Sequence, residues 1–362
     1  LTPQEASDFR EDSVMTRFGF CLLACVLGSS AAVAQDTVSF QGKTVTMIIG
    51  FPPGGGTDAY GRVVATSFEK YLPGNPTVIV KNVPGADGVT SMNFMVQQVV
   101  PDGTTLTTTA NTTADPLNYR KPQVHYVPTD FAVIGGAGRG GEVILINKES
   151  EKRLYDRNAA PVVMGSLGGV PRSGMQMTAW GIEFLGWNAK WVIGYRGTNE
   201  LTLALERGEI DMTATGNRFL IEKLVDSGKF RILVQSGTLK NGKLATRPEF
   251  GDAPLIATAL EGKLKDALAL KAFDYWSSIS LTDKWLALPP KTPKNVVDVY
   301  RTAYGKISQD PEFLERARKI SEDFVPLTAP EVEALITKLA SLPQEAPEYM
   351  TVILRKQGLD VQ

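Results

Sequence analysis

Cysteine and histidine are almost missing from this chain of 362 residues, which has two cysteines, Cys21 and Cys25, and one histidine, His125. Both cysteines fall in a leader-like segment, so the exported chain is expected to carry none. That excludes disulfides, thiol nucleophiles and cysteine metal sites together. With one histidine, in the proline-rich stretch 121–128, neither a His-paired nucleophile nor a familiar zinc ligand set can be assembled. The motifs G-x-S-x-G and H-E-x-x-H do not occur. No catalytic residue, metal site or cofactor is therefore expected.

Charge bias is missing as well. Lys plus Arg total 38 against 39 for Asp plus Glu, a formal net charge of -1. A nucleic-acid partner, which calls for a concentrated basic surface, is not expected. Any attraction for an anion must come from local geometry rather than from the overall field.

The apolar run at 18–27 is too short to cross a bilayer, which takes about 20 residues. It follows Met15-Thr16-Arg17 and leads to Ala32-Val33-Ala34, the charge, core and cleavage-site order of a secretory signal peptide. Residues 1–34 are set aside as upstream residues plus this leader, with cleavage near Ala34 and a periplasmic destination. Leu22-Leu23-Ala24-Cys25 resembles a lipobox. Lipid anchoring at Cys25 is the lesser alternative, because from Met15 it leaves a very short apolar core.

What remains has the size of two domains and an ordinary globular composition. Residues 45–51 read as a strand covered on both faces. Pro52-Pro53-Gly54-Gly55-Gly56 ends it, and Thr57 is expected to cap a helix that aligns Tyr60, Val63, Val64, Phe68 and Tyr71. Strands at 78–80 and 104–109 flank a helix at 89–100. A second set follows, with strands at 142–147, 161–165, 190–193 and from 210, and helices from about 172 and at 200–207. A strand at 285–288 precedes helices that begin near Pro293, Pro311 and Pro330, with proline in an early turn. This alternation predicts parallel α/β architecture. Stretch 238–271 shows no regular pattern.

Gly54-Gly55-Gly56-Thr57-Asp58, between strand and helix, is the strongest chemical signal. Glycines permit close backbone approach, and the first amides of a helix lack intrahelical partners, so an anion fits there. No Lys-Ser or Lys-Thr follows at P-loop spacing, and the glycines do not match G-x-G-x-x-G. Asp58 would oppose a phosphate and suits an acceptor for water or a ligand hydroxyl. Turns at Asn111-Thr112-Thr113, Ser166-Leu167-Gly168-Gly169 and Arg196-Gly197-Thr198 also follow strands, so their polar groups are expected to line one cleft from two sides. Trp285 is read as core, with the wall of that cleft as the alternative.

Ordered motifs then carry a resemblance. Phe51-Pro52-Pro53-Gly54-Gly55-Gly56-Thr57-Asp58, Val80-Lys81-Asn82-Val83-Pro84-Gly85-Ala86-Asp87-Gly88 and Pro101-Asp102-Gly103-Thr104-Thr105-Leu106 resemble the extracytoplasmic receptors of tripartite tricarboxylate transporters, also called the Bug family. Looser echoes continue in Ile193-Gly194-Tyr195-Arg196-Gly197, Gly208-Glu209-Ile210-Asp211 and 287–293. The resemblance implies an α/β, two-lobed periplasmic binding protein, type II-like, with a ligand cleft between the lobes. Residues 35–137 plus 284–362 would form lobe 1 and 138–283 lobe 2. It implies a monomer that binds a small organic carboxylate and serves membrane subunits of a transporter, with no enzymatic activity; a sensor-linked binding protein or an exported enzyme on the same scaffold is the alternative. Carried over by position, Gly55, Gly56, Thr57, Asp58, Asn111 and Thr112 would form one jaw. Ser166, Gly168, Tyr195, Gly197, Thr198 and Asp211 would form the other. Arg172 and Arg196 depart from the family pattern and are candidate partners for a second carboxylate.

Overall fold

The computed structural model describes residues 38–360 apart from 168–170, 172, 196–197, 241–242 and 322. The expected leader, and the candidates Gly168, Gly197, Arg172 and Arg196, lie outside the described residues; for Thr198 the backbone alone is described.

In chain order the strands are β1 (Thr44–Ile49), β2 (Thr77–Asn82), β3 (Thr105–Ala110), β4 (Ala132–Arg139), β5 (Val143–Asn147), β6 (Val162–Leu167), β7 (Ala189–Tyr195), β8 (Met212–Thr215) and β9 (Phe230–Gln235). A short hairpin, β10 (Thr238–Lys240) and β11 (Lys243–Ala245), and then β12 (Lys284–Leu288) and β13 (Phe324–Thr328) complete them. The hairpin forms a two-stranded sheet of its own, and the other strands build two larger ones, a six-stranded sheet ordered β13-β4-β12-β3-β1-β2 and a five-stranded sheet ordered β7-β6-β8-β5-β9. The fold is α/β and two-lobed, with one larger sheet in each lobe.

The principal helices are α1 (Gly56–Tyr71), α2 (Val89–Gln97), α3 (Thr198–Glu206), α4 (Arg218–Asp226), α5 (Ala267–Ile279), α6 (Lys294–Ile307), α7 (Pro311–Ile320), α8 (Ala329–Ala340) and α9 (Glu345–Lys356). Helices cover both faces of each sheet, which is why the strands read as continuous apolar runs. In β1, Val45, Met47 and Ile49 enter the core shared with Tyr60, Phe68 and Tyr300. Ile48, pointing the other way, enters the core of Met92, Trp285 and Val332. β5 divides in the same manner, with Ile144 and Ile146 on one side and Val143 and Leu145 on the other. Gly61 lets α1 press against the first sheet, since a Cβ there would lie 2.6 Å from Thr108 Cγ2.

The sheets are mixed rather than parallel, which corrects the sequence expectation. β1 runs parallel to β2 and β3, but β12 is antiparallel to β3 and β4, and β13 is antiparallel to β4. The cause is the path of the chain. It leaves the first sheet along β4, builds the second, and returns along β12 in the reverse direction between β3 and β4. Stretch 238–271, unpatterned in the sequence, holds the hairpin, short helical turns and the start of α5. β4, β9 and β13 also lie outside the sequence expectation; β4 carries three glycines and β13 a proline, residues that weaken a strand signal.

A third passage between lobes is a further departure. The resemblance assigns all of 284–362 to lobe 1, yet Met350, Ile353 and Leu354 of α9 bury into the core that holds Ile144, Trp180 and Trp276. Trp191 Nε1 donates to Gln357 Oε1 at 3.0 Å, and Gln357 Nε2 donates to the Ala179 carbonyl at 3.0 Å. An amphipathic helix goes where its apolar face is covered, and here the cover is α5. Replacing Leu354, 1% exposed, with alanine is expected to cost about 2–4 kcal/mol. Urea unfolding measures this, and a loss below about 1 kcal/mol would contradict the assignment of α9 to a core.

Candidate functional site

Pro52 to Gly55 turn the chain from β1 into α1. The helix starts at Gly56 with Gly55 as its N-cap, in extended conformation and without a side-chain cap. The expected capping residue, Thr57, is already inside the helix. The amides of the first turn are therefore left without intrahelical or capping partners. Gly56 lines a cavity of about 1010 Å³ between the two sheets.

Asp58 faces elsewhere. Its Oδ2 accepts from the Gly54 amide at 2.9 Å and from Arg62 Nε at 2.9 Å, and its Oδ1 accepts from Asn82 Nδ2 at 2.8 Å. Asn82 Nδ2 also donates to the Phe51 carbonyl at 2.8 Å. Both carboxylate oxygens are thus engaged in holding the glycine turn in shape. The Arg62 guanidinium, with help from Asn82 and Gly54, lowers the Asp58 carboxyl from its ordinary 3.8 to about 2, against the opposing effect of burial.

The neighbouring wall comes from Pro84-Gly85-Ala86-Asp87-Gly88 and the end of β3. Ala86 and Asp87 both adopt left-handed backbone, at φ 46° and 53°, an arrangement that needs outside support in non-glycine residues. Thr112 supplies it, its hydroxyl donating to the Asp87 carbonyl at 2.8 Å. Asn111 binds the returning chain, its backbone amide donating to the Asp283 carbonyl at 3.0 Å and its Nδ2 to the Ile279 carbonyl at 2.9 Å. Asp87, Asn111 and Thr112 all line the cavity. So does Asp115, which caps a short helix through the Leu117 amide and accepts from the Tyr275 hydroxyl at 3.1 Å. Burial pushes the Asp115 carboxyl above its usual range.

The second jaw differs from the one carried over by resemblance. Ser166 is buried, its hydroxyl directed to Met175 Sδ at 3.1 Å and the Leu167 carbonyl at 3.3 Å. Tyr195 is half-buried against the core beneath α3. Asp211 lies at the start of β8, where it accepts from the Ser150 hydroxyl, from Arg153 Nη2 and, at 2.8 Å, from the Val163 amide. Val163 is near the start of β6 and Ser166 near its end, so Asp211 and Ser166 mark opposite ends of the sheet. None of these three side chains lines the described cavity. Its far wall is made instead by Glu142, Ser173, Gln176, Gly216, Asn217 and Ser236. Gly216-Asn217 had a readable signal, because it follows β8 and Asn217 caps α4 through the Leu220 amide at 2.9 Å. Glu142 and Ser236 had none: their pairing, the Glu142 amide to Ser236 Oγ at 2.8 Å, forms across strands distant in sequence.

Trp285 is not on the cavity wall. It is fully buried, with Nε1 donating to Thr113 Oγ1 at 3.0 Å, which settles it as core.

With the cleft described, known proteins supply its context. The sequence model of the tripartite tricarboxylate transporter family receptor, TctC, matches residues 61–340. The chain belongs to this family. The receptor is 28% identical over 306 residues to a UPF0065 protein of Bordetella pertussis, an alignment that covers 81% of this chain and 84% of the relative. In structure it is similar to a TctC solute binding protein from Polaromonas, with TM-score 0.63 and 19% identity over 88% of this chain and 100% of that one. Rpa4515 of R. palustris, solved with adipate, aligns at TM-score 0.51 and 18% identity, covering 88% and 98% of the two chains. Among the described residues of the receptor, no helix is long and apolar enough to cross a membrane.

Asp58→Ala would leave the Gly54 amide and Asn82 Nδ2 without their acceptor, and is expected to destabilise the receptor by about 2–3 kcal/mol. Because the folded-state pKa is depressed, the stabilisation is complete above the unfolded value of 3.8 and is lost as pH falls through about 2. In chemical denaturation the gap between wild type and Asp58→Ala should therefore be constant near neutrality and close across that acid window. A gap that widens on acidification would contradict this.

Proposed function

We propose that this receptor is exported to the periplasm, holds a small organic carboxylate in the cleft between its sheets and presents it to the membrane subunits of a tripartite tricarboxylate-type transporter. The observation that carries the reading is the uncapped first turn of α1, with Gly56 on the cavity wall. Free amides there, aided by the helix dipole, stabilise one negative group without a lysine or arginine in contact. That suits a protein whose overall charge is close to zero. Adipate, a dicarboxylate, in a structural neighbour supports the ligand class. Binding across two lobes suits hinge closure, in which the ligand stabilises the closed arrangement by contacting both sides. The receptor carries out recognition and delivery, with no chemical step on the ligand.

A thermal-shift screen against about a hundred carboxylates tests the class, since a ligand at about 100 times its Kd adds about 2.7 kcal/mol to stability. A clear shift with one or a few acids, recovered unchanged, is expected; shifts with sugars or metals alone would overturn the reading. Gly56→Pro tests the amide itself. Proline is well tolerated at the first helical position, and Gly55 already has the extended backbone at φ -81° and ψ 168° that a following proline requires. A Cβ at Gly56 meets nothing within 4 Å. The variant is expected to unfold at the wild-type denaturant midpoint while binding the acid about tenfold or more weakly in calorimetry. Unchanged affinity would remove the amide from the site.

A further inference from the structure

The hairpin β10–β11 belongs to the stretch that carries no regular pattern in the sequence. It forms a sheet of its own, three residues to a strand. A lone two-stranded hairpin is at best marginally stable in water, so this one needs cover from elsewhere. The cover comes from the other lobe. The hairpin leaves the second sheet after β9, yet it lies beside β4 of the first, and Leu239 packs against the first-lobe core of Trp285 and Val332.

Its base is fixed in the second lobe. Gln235, fully buried at the end of β9, accepts the Arg247 amide on Oε1 at 2.8 Å and donates Nε2 to the Ala253 carbonyl at 2.7 Å. From that anchor the Arg247 side chain reaches the first lobe, where Nη2 donates to Asp323 Oδ1. The two side chains are 7% and 8% exposed. Glu249 accepts from Nε at 3.1 Å and from Nη2 at 2.7 Å. Guanidinium–carboxylate pairing is directional, and burial makes the loss of one partner costly, so the pair specifies a geometry.

Both contacts flank the outgoing passage. The Gly140 amide, between β4 and β5, donates to the Asp323 carbonyl at 2.8 Å. A Cβ at Gly140 would lie 2.4 Å from Arg247 Nη1, and one at Gly141 would lie 2.1 Å from the Gly237 carbonyl oxygen at the base of the hairpin. Neither glycine has a positive φ. What these two positions require is room, because the segment from the second lobe presses on the passage from the side.

We infer that β10, β11 and Arg247 form an interlobe strap that limits rotation of the lobes about Gly140-Gly141 in the ligand-free protein. A rotation that parts the lobes at this passage must draw Leu239 off the first core and break the Arg247–Asp323 pair. The inference concerns how the lobes move and holds whatever the ligand is. Its failure leaves the carboxylate-receptor reading untouched.

Pulsed electron paramagnetic resonance tests it, with spin labels at Gln97→Cys and Leu203→Cys, exposed positions on α2 and α3 in opposite lobes. Cys21→Ser and Cys25→Ser leave no other thiol. Without ligand, the protein should give one narrow distance distribution. Arg247→Met combined with Asp323→Asn removes both buried charges, so that neither is left facing an empty site, and should widen the distribution about twofold. Leu239→Ser acts on the other contact and should widen it as well. Circular dichroism and melting temperature show whether each variant is folded. An unchanged width in either folded variant would overturn the inference, and a lowered melting temperature alongside it would assign that contact to the fold alone. Should the charge-free variant fail to fold, Leu239→Ser decides the outcome by itself.

Discussion

β12 comes back from the second lobe and inserts between β3 and β4, hydrogen-bonded to both along its length. A strand in that position cannot shift without breaking two ladders at once, so the residues just before it are held as firmly as the sheet itself. Those residues are part of the cavity wall. Asn111 closes the seam by taking the Asp283 carbonyl and the Ile279 carbonyl, which joins the end of β3 to the end of α5. The floor of the cleft is therefore core architecture, with its polar groups placed by backbone pairing rather than by side-chain choice.

The outgoing passage is treated differently. Gly140-Gly141 joins β4 to β5, and a Cβ at Gly141 would lie 2.1 Å from the Gly237 carbonyl oxygen. Close by, Arg247 of the second lobe pairs with Asp323 of the first and lies 4.3 Å from the Phe250 ring. Burial of such a pair brings little net stability when it is intact and a large loss when one partner is removed. It acts as a constraint on how the lobes meet. Together with the three chain passages, the burial of α9 in the second core and the Lys338–Asp274 pair between α8 and α5, it limits how the lobes can move.

The polar groups around the cleft divide into those that build it and those without a partner among the described residues. Asp58 and Thr112 belong to the first group: one shapes the glycine turn, the other supports the left-handed backbone at Ala86 and Asp87. The first-turn amides of α1 and the Thr282 hydroxyl belong to the second. Unpaired buried polar groups are uncommon in native proteins unless water or a ligand completes them.

The sequence by itself determined the local units. Val45 to Ile49 read as a strand covered on both faces, the glycines after Pro53 as the turn that leads into a helix, and Pro293, Pro311 and Pro330 as helix starts; each follows from steric and hydrogen-bonding rules that act within a few residues. The family too was legible, because its motifs lie in those turns. The tertiary structure alone decided which strands are antiparallel, which lobe receives α9, and which side chains meet at the cavity. Thr57 and Asp58 lie in the first turn of α1, yet Asp58 turns to Arg62 and Asn82, since the charge of Arg62 and the donors of Asn82 and Gly54 are within hydrogen-bond reach. Asp211 looked like a partner of Ser166 and lies at the other end of the sheet. Thr282 had no local signal, because an orphaned hydroxyl is defined by what surrounds it, and its surroundings come from strands far away in the chain.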